Sequence, residues 1–418
     1  SFAYPMSDVL SVLASSLNDT QLAAAARRLK NSTVNGGNRS AALTALIELA
    51  RSQKRMAVLI CANAFDVARL NQEIAWLDPS LKVSSLPDWE TLPYDTMSPH
   101  ADLVSERLET LYNLTSDDLQ ARPDVLIAAA STAAQRFAPK SYVAGNTFFF
   151  RKGQTISIGK LETSLVAAGY GRVEQTMAPG EFAVRGGIVD IFPMGAASPL
   201  RLDLFDDEID AIRRFDPESQ RSTGSVDRVR ILPGHEFAFD EESRNRFRAA
   251  WRAAFPGDPN KCPVYVDVGS GICSPGIEYY LPLFFESTGT LADYLPDNAL
   301  FITLGETRDA IDSFMRQTQE RYKFLSHDAQ RPALPPEKLF DKADSFFDAI
   351  APFGRISLKA PETGIDTSLT IERSAKDPAA KLKDFVAKCR IEKKRILIVA
   401  TGSGRAARLQ ELLRDGVR

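Results

Sequence analysis

At about 150 residues per domain, 418 residues imply roughly two to four domains, which excludes a single small core. With 44% hydrophobic and 25% charged residues the composition is that of an ordinary globular protein, not of a fibre, a disulfide scaffold or a disordered polymer. Fifty-one Lys plus Arg against 54 Asp plus Glu leave a net charge of −3, so a basic coat over the whole surface is excluded while local basic patches are not.

The predicted elements begin with a helix over Ser40–Ala50, an unbroken apolar strand over Met56–Cys61 and an amphipathic helix from Asp66 to Trp76. A Pro-rich stretch at 86–99 precedes another helix at 101–114 and a second buried-type strand over Asp124–Ala130. Continuous apolar strands alternating with helices point to a parallel sheet covered on both faces. From about 142 the texture changes. Segments at 147–150, 181–192 and 200–205 are short and rich in aromatic or β-branched residues, with a helix near 159–168, so a small α+β domain on an antiparallel sheet is expected. Of the 30 residues from 201 to 230, eight are acidic and six basic, which suits strands with one solvated face. Mixed α/β texture returns at 229–330, so the small domain reads as an insertion into the first one. Three prolines in Arg331-Pro-Ala-Leu-Pro-Pro336 read as a linker. A last domain is expected beyond it; its final stretch, 376–418, carries 12 basic and five acidic residues.

Four scattered cysteines and three histidines (His100, His235, His327) offer no metal-ligand spacing, so no metal site is expected. No run approaches the roughly 18 apolar residues that cross a bilayer, and no signal peptide is visible, so a cytoplasmic protein without membrane contact is expected. The chain starts at Ser1 without an initiator Met and stops at Arg418 after a predicted helix, from which a longer parent protein is expected.

Several candidate chemistries fail on spacing. Thr401-Gly-Ser-Gly-Arg-Ala-Ala407 follows an apolar strand at 396–400 and fits a dinucleotide fingerprint, yet the sequence ends 11 residues later, so a tight strand-to-helix turn is the better reading. Val34-Asn-Gly-Gly-Asn-Arg-Ser40 stands where a phosphate loop would stand before a helix and strand. Arg39-Ser40 occupies the place of the required Lys-Ser/Thr, and Arg does not replace that compact ammonium, so ATP hydrolysis is not expected here. His100 lies near Asp95 and Ser98 without a nucleophile elbow, and Asp206-Asp-Glu208 reads as a solvated turn. What remains is recognition: Arg185 and Arg201 lie near Phe182, Phe192, Phe205 and Phe215, a composition shared by interface hot spots and by ordinary β cores.

Three longer segments resemble a known family. Leu86-Pro-Asp-Trp-Glu-Thr-Leu-Pro-Tyr-Asp95, with Ser98-Pro-His100 and Ser105-Glu-Arg-Leu108, resembles the N-terminal signature of the bacterial transcription-repair coupling factors. Gly180-Glu-Phe-Ala-Val-Arg-Gly-Gly-Ile-Val-Asp-Ile-Phe-Pro193, with the stretches from Arg201 to Asp210 and from Phe215 to Arg221, is similar to the domain those factors share with the excinuclease component UvrB. Pro275-Gly-Ile-Glu-Tyr-Tyr-Leu-Pro-Leu-Phe-Phe285 is similar to the family's first domain where it resumes.

The resemblance implies a DNA-repair protein of α/β multidomain fold: a degenerate P-loop helicase-like parallel-sheet domain (1–137 and 229–330), interrupted by an α+β insertion (138–228) that binds UvrA, the damage-recognition component of the excinuclease. A Pro-rich linker (331–336) and a separate α/β domain (337–418) of unknown role would follow. It implies that Gly36, Gly37, Arg39 and Ser40 are a degenerate nucleotide loop, and that Arg185, Arg201 and Phe205 contact UvrA. Arg201, Asp203 and Phe205 alternate at period two and share one face of a strand, so a guanidinium could meet a partner carboxylate while the ring fills an apolar pocket; Phe205 in the core and Arg201 paired within the domain is the other reading. No catalytic residue and no cofactor are expected in these residues. ATP and Mg²⁺, RNA polymerase and double-stranded DNA are implied for motor and binding domains absent from this sequence, as is masking of the recruiting surface by a later domain. Two other functions stay open: a UvrB-like ATPase, and a DNA-binding module using 376–418.

Overall fold

The computed structural model describes residues 32–35, 39–359, 369, 377, 379–394, 396, 398, 400 and 402–414. The chain divides into two compact units, 1–360 and 361–418. Among the described residues the first begins with β1 (Ser32–Asn35), α1 (Arg39–Ser52), β2 (Ala57–Cys61), α2 (Phe65–Leu77), β3 (Val83–Leu86), α3 (Ala101–Thr115) and β4 (Val125–Ala129). Every residue of β2 and β4 is buried, as strands covered on both faces must be. The fixed φ of Pro99 suits extended backbone before a helix, and the next residue, His100, caps α3, its Nδ1 accepting from the Asp102 amide at 3.3 Å. Leu108, Leu111 and Leu114 then recur at helical spacing on the buried side.

The chain continues through β5 (Phe148–Arg151), α4 (Ile158–Ala167), β6 (Gly171–Arg172), β7 (Glu181–Arg185), β8 (Ile188–Ile191), β9 (Leu200–Phe205), β10 (Glu208–Phe215), β11 (Ser222–Val226) and β12 (Arg228–Ile231). Strands β6 to β11 form one sheet in the order β11-β10-β9-β8-β7-β6, antiparallel except between β6 and β7. Its alternation is plain: Phe182, Val189, Ile191, Leu200, Leu202 and Ile212 are buried in one core with Leu161 and Leu165 of α4, while most charged side chains stand on the other face. Strands β5 and β12 pair as a separate antiparallel ribbon.

After α5 (Glu241–Ala254), β13 (Leu300–Leu304), α6 (Thr307–Leu325) and β14 (Gly354–Lys359) complete the first unit. The last two strands join the first sheet, whose order is β1-β14-β13-β2-β4-β3 with every pairing parallel. That sheet is therefore assembled from chain on both sides of the antiparallel one. In the second unit the described elements are α7 (Ala380–Ile391) and α8 (Ser403–Arg414). The strand expected at 396–400 is not among them, and residues 397 and 399 lie outside the described residues.

One boundary needs correction. The Pro-rich segment 331–336 is no linker, and no separate domain starts at 337. Residues 336–359 supply two short helices and β14, which lies between β1 and β13 inside the first sheet. Prolines rule out a helix interior or central strand, but not a buried connector whose carbonyls find donors. Tyr94 Oη donates to the Leu334 carbonyl and Tyr280 Oη to that of Pro332, both at 2.7 Å, and Leu334 is buried.

The core contains a polar centre. Arg107, 1% exposed, gives its Nε to Glu236 Oε1 at 2.9 Å, its Nη1 to the Pro87 carbonyl at 2.7 Å and its Nη2 to Gln135 Oε1 at 2.9 Å. Trp89 Nε1 donates to the other oxygen of Glu236 at 2.6 Å. Three chain segments far apart in sequence, around 88, 107 and 236, are thus held by one satisfied ion pair.

Two features of the 275–285 segment give testable consequences. Gly276 has φ +75°, and a Cβ there would fall 2.5 Å from the Asp95 carbonyl oxygen and 3.0 Å from the Thr96 carbonyl carbon. Backbone on the far side cannot yield, so Gly276→Ala is expected to lower stability by roughly 1–3 kcal/mol, read from the urea midpoint. Glu278, 7% exposed, accepts from Ser98 Oγ at 2.8 Å, and burial pushes its carboxyl up to about 7. The folded protein therefore holds a proton that the unfolded chain releases near its ordinary value of 4.5. This contribution to stability is full below that value and is lost as pH rises through the folded one. Stability measured by urea denaturation is expected to decline between about pH 5 and about pH 7, and Glu278→Gln to flatten that decline; an unchanged slope in the variant would remove Glu278 as its source.

Candidate protein-docking face

The outward face of the antiparallel sheet is organised around a buried carboxylate. In the register of β8 and β9, Asp190 stands opposite Arg201, and Ile188 opposite Asp203; on the other side Arg185 of β7 pairs with Ile188. Asp190 is 2% exposed, and its two oxygens receive Arg185 Nη2 at 2.8 Å and Arg201 Nε and Nη2 at 2.7 and 2.9 Å. The Arg201 contact is a parallel two-bond fork, the strongest geometry for this pair. Arg201 also donates to Gln220 Oε1 at 3.1 Å, and its Cζ lies 4.6 Å from the centroid of Phe215. The hydrogen bonds to Asp190 hold the Arg201 guanidinium above its ordinary pKa.

Beside this clamp Asp203 takes Arg213 Nη1 at 3.1 Å, so those two charges compensate each other. Phe205 ends β9 with 76% of its surface exposed. The next two residues make the hairpin turn, Asp206 having φ +51°, and Glu208 starts β10 opposite Phe205. Asp206, Asp207 and Glu208 thus belong to a turn and a strand start. The face offers a rigid, charged platform with a large apolar ring projecting at one edge, which is an arrangement for docking rather than bond-making.

The residues singled out from the sequence separate accordingly. Arg185 and Arg201 converge on one carboxylate; Phe205 stands apart and is not in the core. The fork of Arg201 is engaged by Asp190 inside the domain, the intradomain pairing that is the second of the two readings of this residue. Asp190 was missed by sequence reasoning, although an acidic residue inside the apolar run Ile188-Val-Asp-Ile191 is a signal for a buried partner. Arg39 and Ser40 open α1 after β1; Gly36 and Gly37 lie outside the described residues.

Comparison with known proteins places this face in context. Residues 148–237 match the family model described as the UvrB interaction domain. The chain is 36% identical over 355 residues to the transcription-repair-coupling factor of Haemophilus influenzae, an alignment covering 82% of this chain and 30% of that protein. With the factor of the same name from Escherichia coli it shares 39% identity over 321 residues, 77% of this chain and 28% of the relative. The Bacillus subtilis factor is 26% identical over 288 residues, 66% of this chain and 24% of the relative. The chain spans less than a third of the length of these relatives.

Proposed function

The chain belongs to the transcription-repair-coupling factors, as a part of their N-terminal region, and on that premise we propose that it is the recruiting part of such a factor, binding the excinuclease component UvrA to bring nucleotide excision repair to a stalled RNA polymerase. The observation that carries this reading is the exposed ring of Phe205 at the end of the strand that brings Arg201 to the Asp190 clamp, within the span that matches an interaction domain. An aromatic ring on a rigid strand end loses little side-chain entropy on docking and gains the burial of its whole face. The clamp acts as the support: it fixes the strands from which the ring projects, while the half-exposed Arg185 keeps N–H groups for a partner.

On this reading the helicase-like sheet is a scaffold. Arg39-Ser40 in place of Lys-Ser/Thr argues against ATP hydrolysis by these residues. ATP-driven translocation and the contacts to RNA polymerase and duplex DNA are assigned to parts of the longer protein outside this chain. No described helix is long and apolar enough to cross a membrane.

Calorimetric titration with purified UvrA tests the proposal. Phe205→Ala is expected to weaken binding more than tenfold with no change in the melting temperature, because the ring makes few contacts in the free protein. Equal binding by wild type and variant would place the docking site elsewhere, and absence of binding by wild type would overturn the recruiting role of the exposed face.

A further inference from the structure

A second surface carries charge that the described residues leave unneutralised. In the ribbon of β5 and β12, Arg228 stands directly opposite Arg151, and Arg230 opposite Phe149. These residues share one face, while Phe150 and Val229 are buried on the other. Like charges directly across an antiparallel pair repel, yet among the described residues neither the Arg151 nor the Arg228 side chain has an ion-pair partner. What orders this face is aromatic: Arg228 Cζ lies 3.8 Å from the centroid of Phe149 and Arg230 Cζ 4.8 Å from that of Tyr112. Arg230 is also compensated, with Nη2 3.3 Å from Glu109 Oε1. A stacked guanidinium has its plane fixed and its N–H edge free for an anion.

The ribbon borders two adjoining concavities of about 760 and 710 Å³ that share Phe149 and Arg228. The larger adds Arg214 and an apolar lining of Met194, Leu200 and Val226, and the smaller adds Lys152. Five cationic side chains (Arg151, Lys152, Arg214, Arg228, Arg230) therefore line one groove that contains two carboxylates, Asp118 and Asp227, although the chain as a whole carries −3. The groove is distinct from the docking face. Arg213 registers with Arg201 and Arg214 with Leu200, so these neighbours leave opposite sides of the sheet.

We infer that this groove binds a single strand of nucleic acid, with phosphates on Arg151, Lys152, Arg214 and Arg228 and a base against the apolar lining. The guanidinium fork fits a phosphate through two parallel hydrogen bonds. The outer plane of a guanidinium already stacked on a ring is a platform for an unpaired base. A basic track beside apolar and aromatic surface is the combination single strands use. A duplex keeps its bases stacked inside and leaves the lining unused; an acidic peptide matches the charge but has no flat ring for the stacked arginine.

The test is fluorescence anisotropy of the full chain with a labelled single-stranded oligonucleotide of about 16 nucleotides, the same sequence as a duplex, and poly-glutamate. The variant is Arg151→Gln with Arg228→Gln, two exposed side chains whose loss breaks no ion pair. Wild type is expected to prefer the single strand, with log K falling linearly in log salt; the variant is expected to bind at least tenfold more weakly, with a slope shallower by about 1.4 for the two lost phosphate contacts. Circular dichroism and UvrA binding should be unchanged in it. Single-strand binding by this groove is overturned if wild type does not bind the oligonucleotide at low salt, if the variant binds as well as wild type, or if duplex or poly-glutamate binds as tightly.

Discussion

Arg107→Ala is expected to cost about 3–5 kcal/mol of folding stability, the largest effect of any single change discussed for this chain. The substitution removes more than one ion pair. It leaves the Glu236 carboxylate, 4% exposed, without its cation, and it leaves the Pro87 carbonyl and Gln135 Oε1 without the donors that now reach them. It also opens a void between the Trp89 and Phe137 rings, which lie 5.2 and 5.6 Å from the guanidinium carbon. Urea denaturation should show a lower midpoint with little change in slope. Adding Glu236→Gln to Arg107→Met should recover part of the loss, because the pair is expensive to break from one side and much less so to remove from both. Trp89 keeps an acceptor in that double variant. If Arg107→Ala costs less than about 1 kcal/mol, the network is not the organising centre it is taken to be.

The second large effect is expected at Asp190. Asp190→Ala should lower stability by about 2–4 kcal/mol, less than at Arg107 because Arg185 is 54% exposed at its side chain and hydrates once released. The consequence for function is sharper than for stability. Without the carboxylate, Arg185 and Arg201 repel each other, and the two-bond fork that fixes β8 against β9 is gone. On the proposed function, affinity for UvrA is then expected to fall by tens-fold or more even in conditions where the variant is fully folded, since β9, which ends at Phe205, loses its fixed hold on β8. Asp190→Asn keeps the shape and one acceptor oxygen for the arginines but loses the charge; it should fall between wild type and Asp190→Ala in both measurements. A folded Asp190→Ala protein with wild-type affinity would separate the clamp from docking and leave it a purely structural device.

Arg107 ties the loop at 88, the helix α3 and the segment at 236 into one body, so its loss is felt by the scaffold. Asp190 ties three strands of the inserted sheet, so its loss is felt by the surface that scaffold presents.

Much of the local structure is legible in the residues. The apolar runs at 57–61 and 125–129 read as buried parallel strands because no polar residue interrupts them. The alternation in Leu200-Arg-Leu-Asp-Leu-Phe205 marks a half-buried strand, and its inner residues Leu200 and Leu202 are buried. The segment after Pro336 is harder, because three prolines in six residues carry a strong local signal for a break, whereas β14 is stabilised by neighbours on both sides that are distant in sequence. The positions Arg185, Arg201 and Phe205 come from resemblance to a family, and nothing in their spacing says that two of them share a carboxylate.

The sequence by itself determined the helices around 40–50, 66–76, 101–114 and 159–168, the strands around 57–61, 125–129 and 200–205, and the presence of Arg39-Ser40 where a phosphate loop would carry lysine. Those properties belong to consecutive residues, whose periodicity and propensity act within one turn or one pleat. Only the tertiary structure decided that Asp190 serves both arginines, that Phe205 stands in water, that Arg228 faces Arg151, and that β14 lies inside the first sheet. Each of these depends on strand order and register, which are set by how many buried groups the whole chain can satisfy at once, and a carboxylate chooses its partners only after that competition is settled.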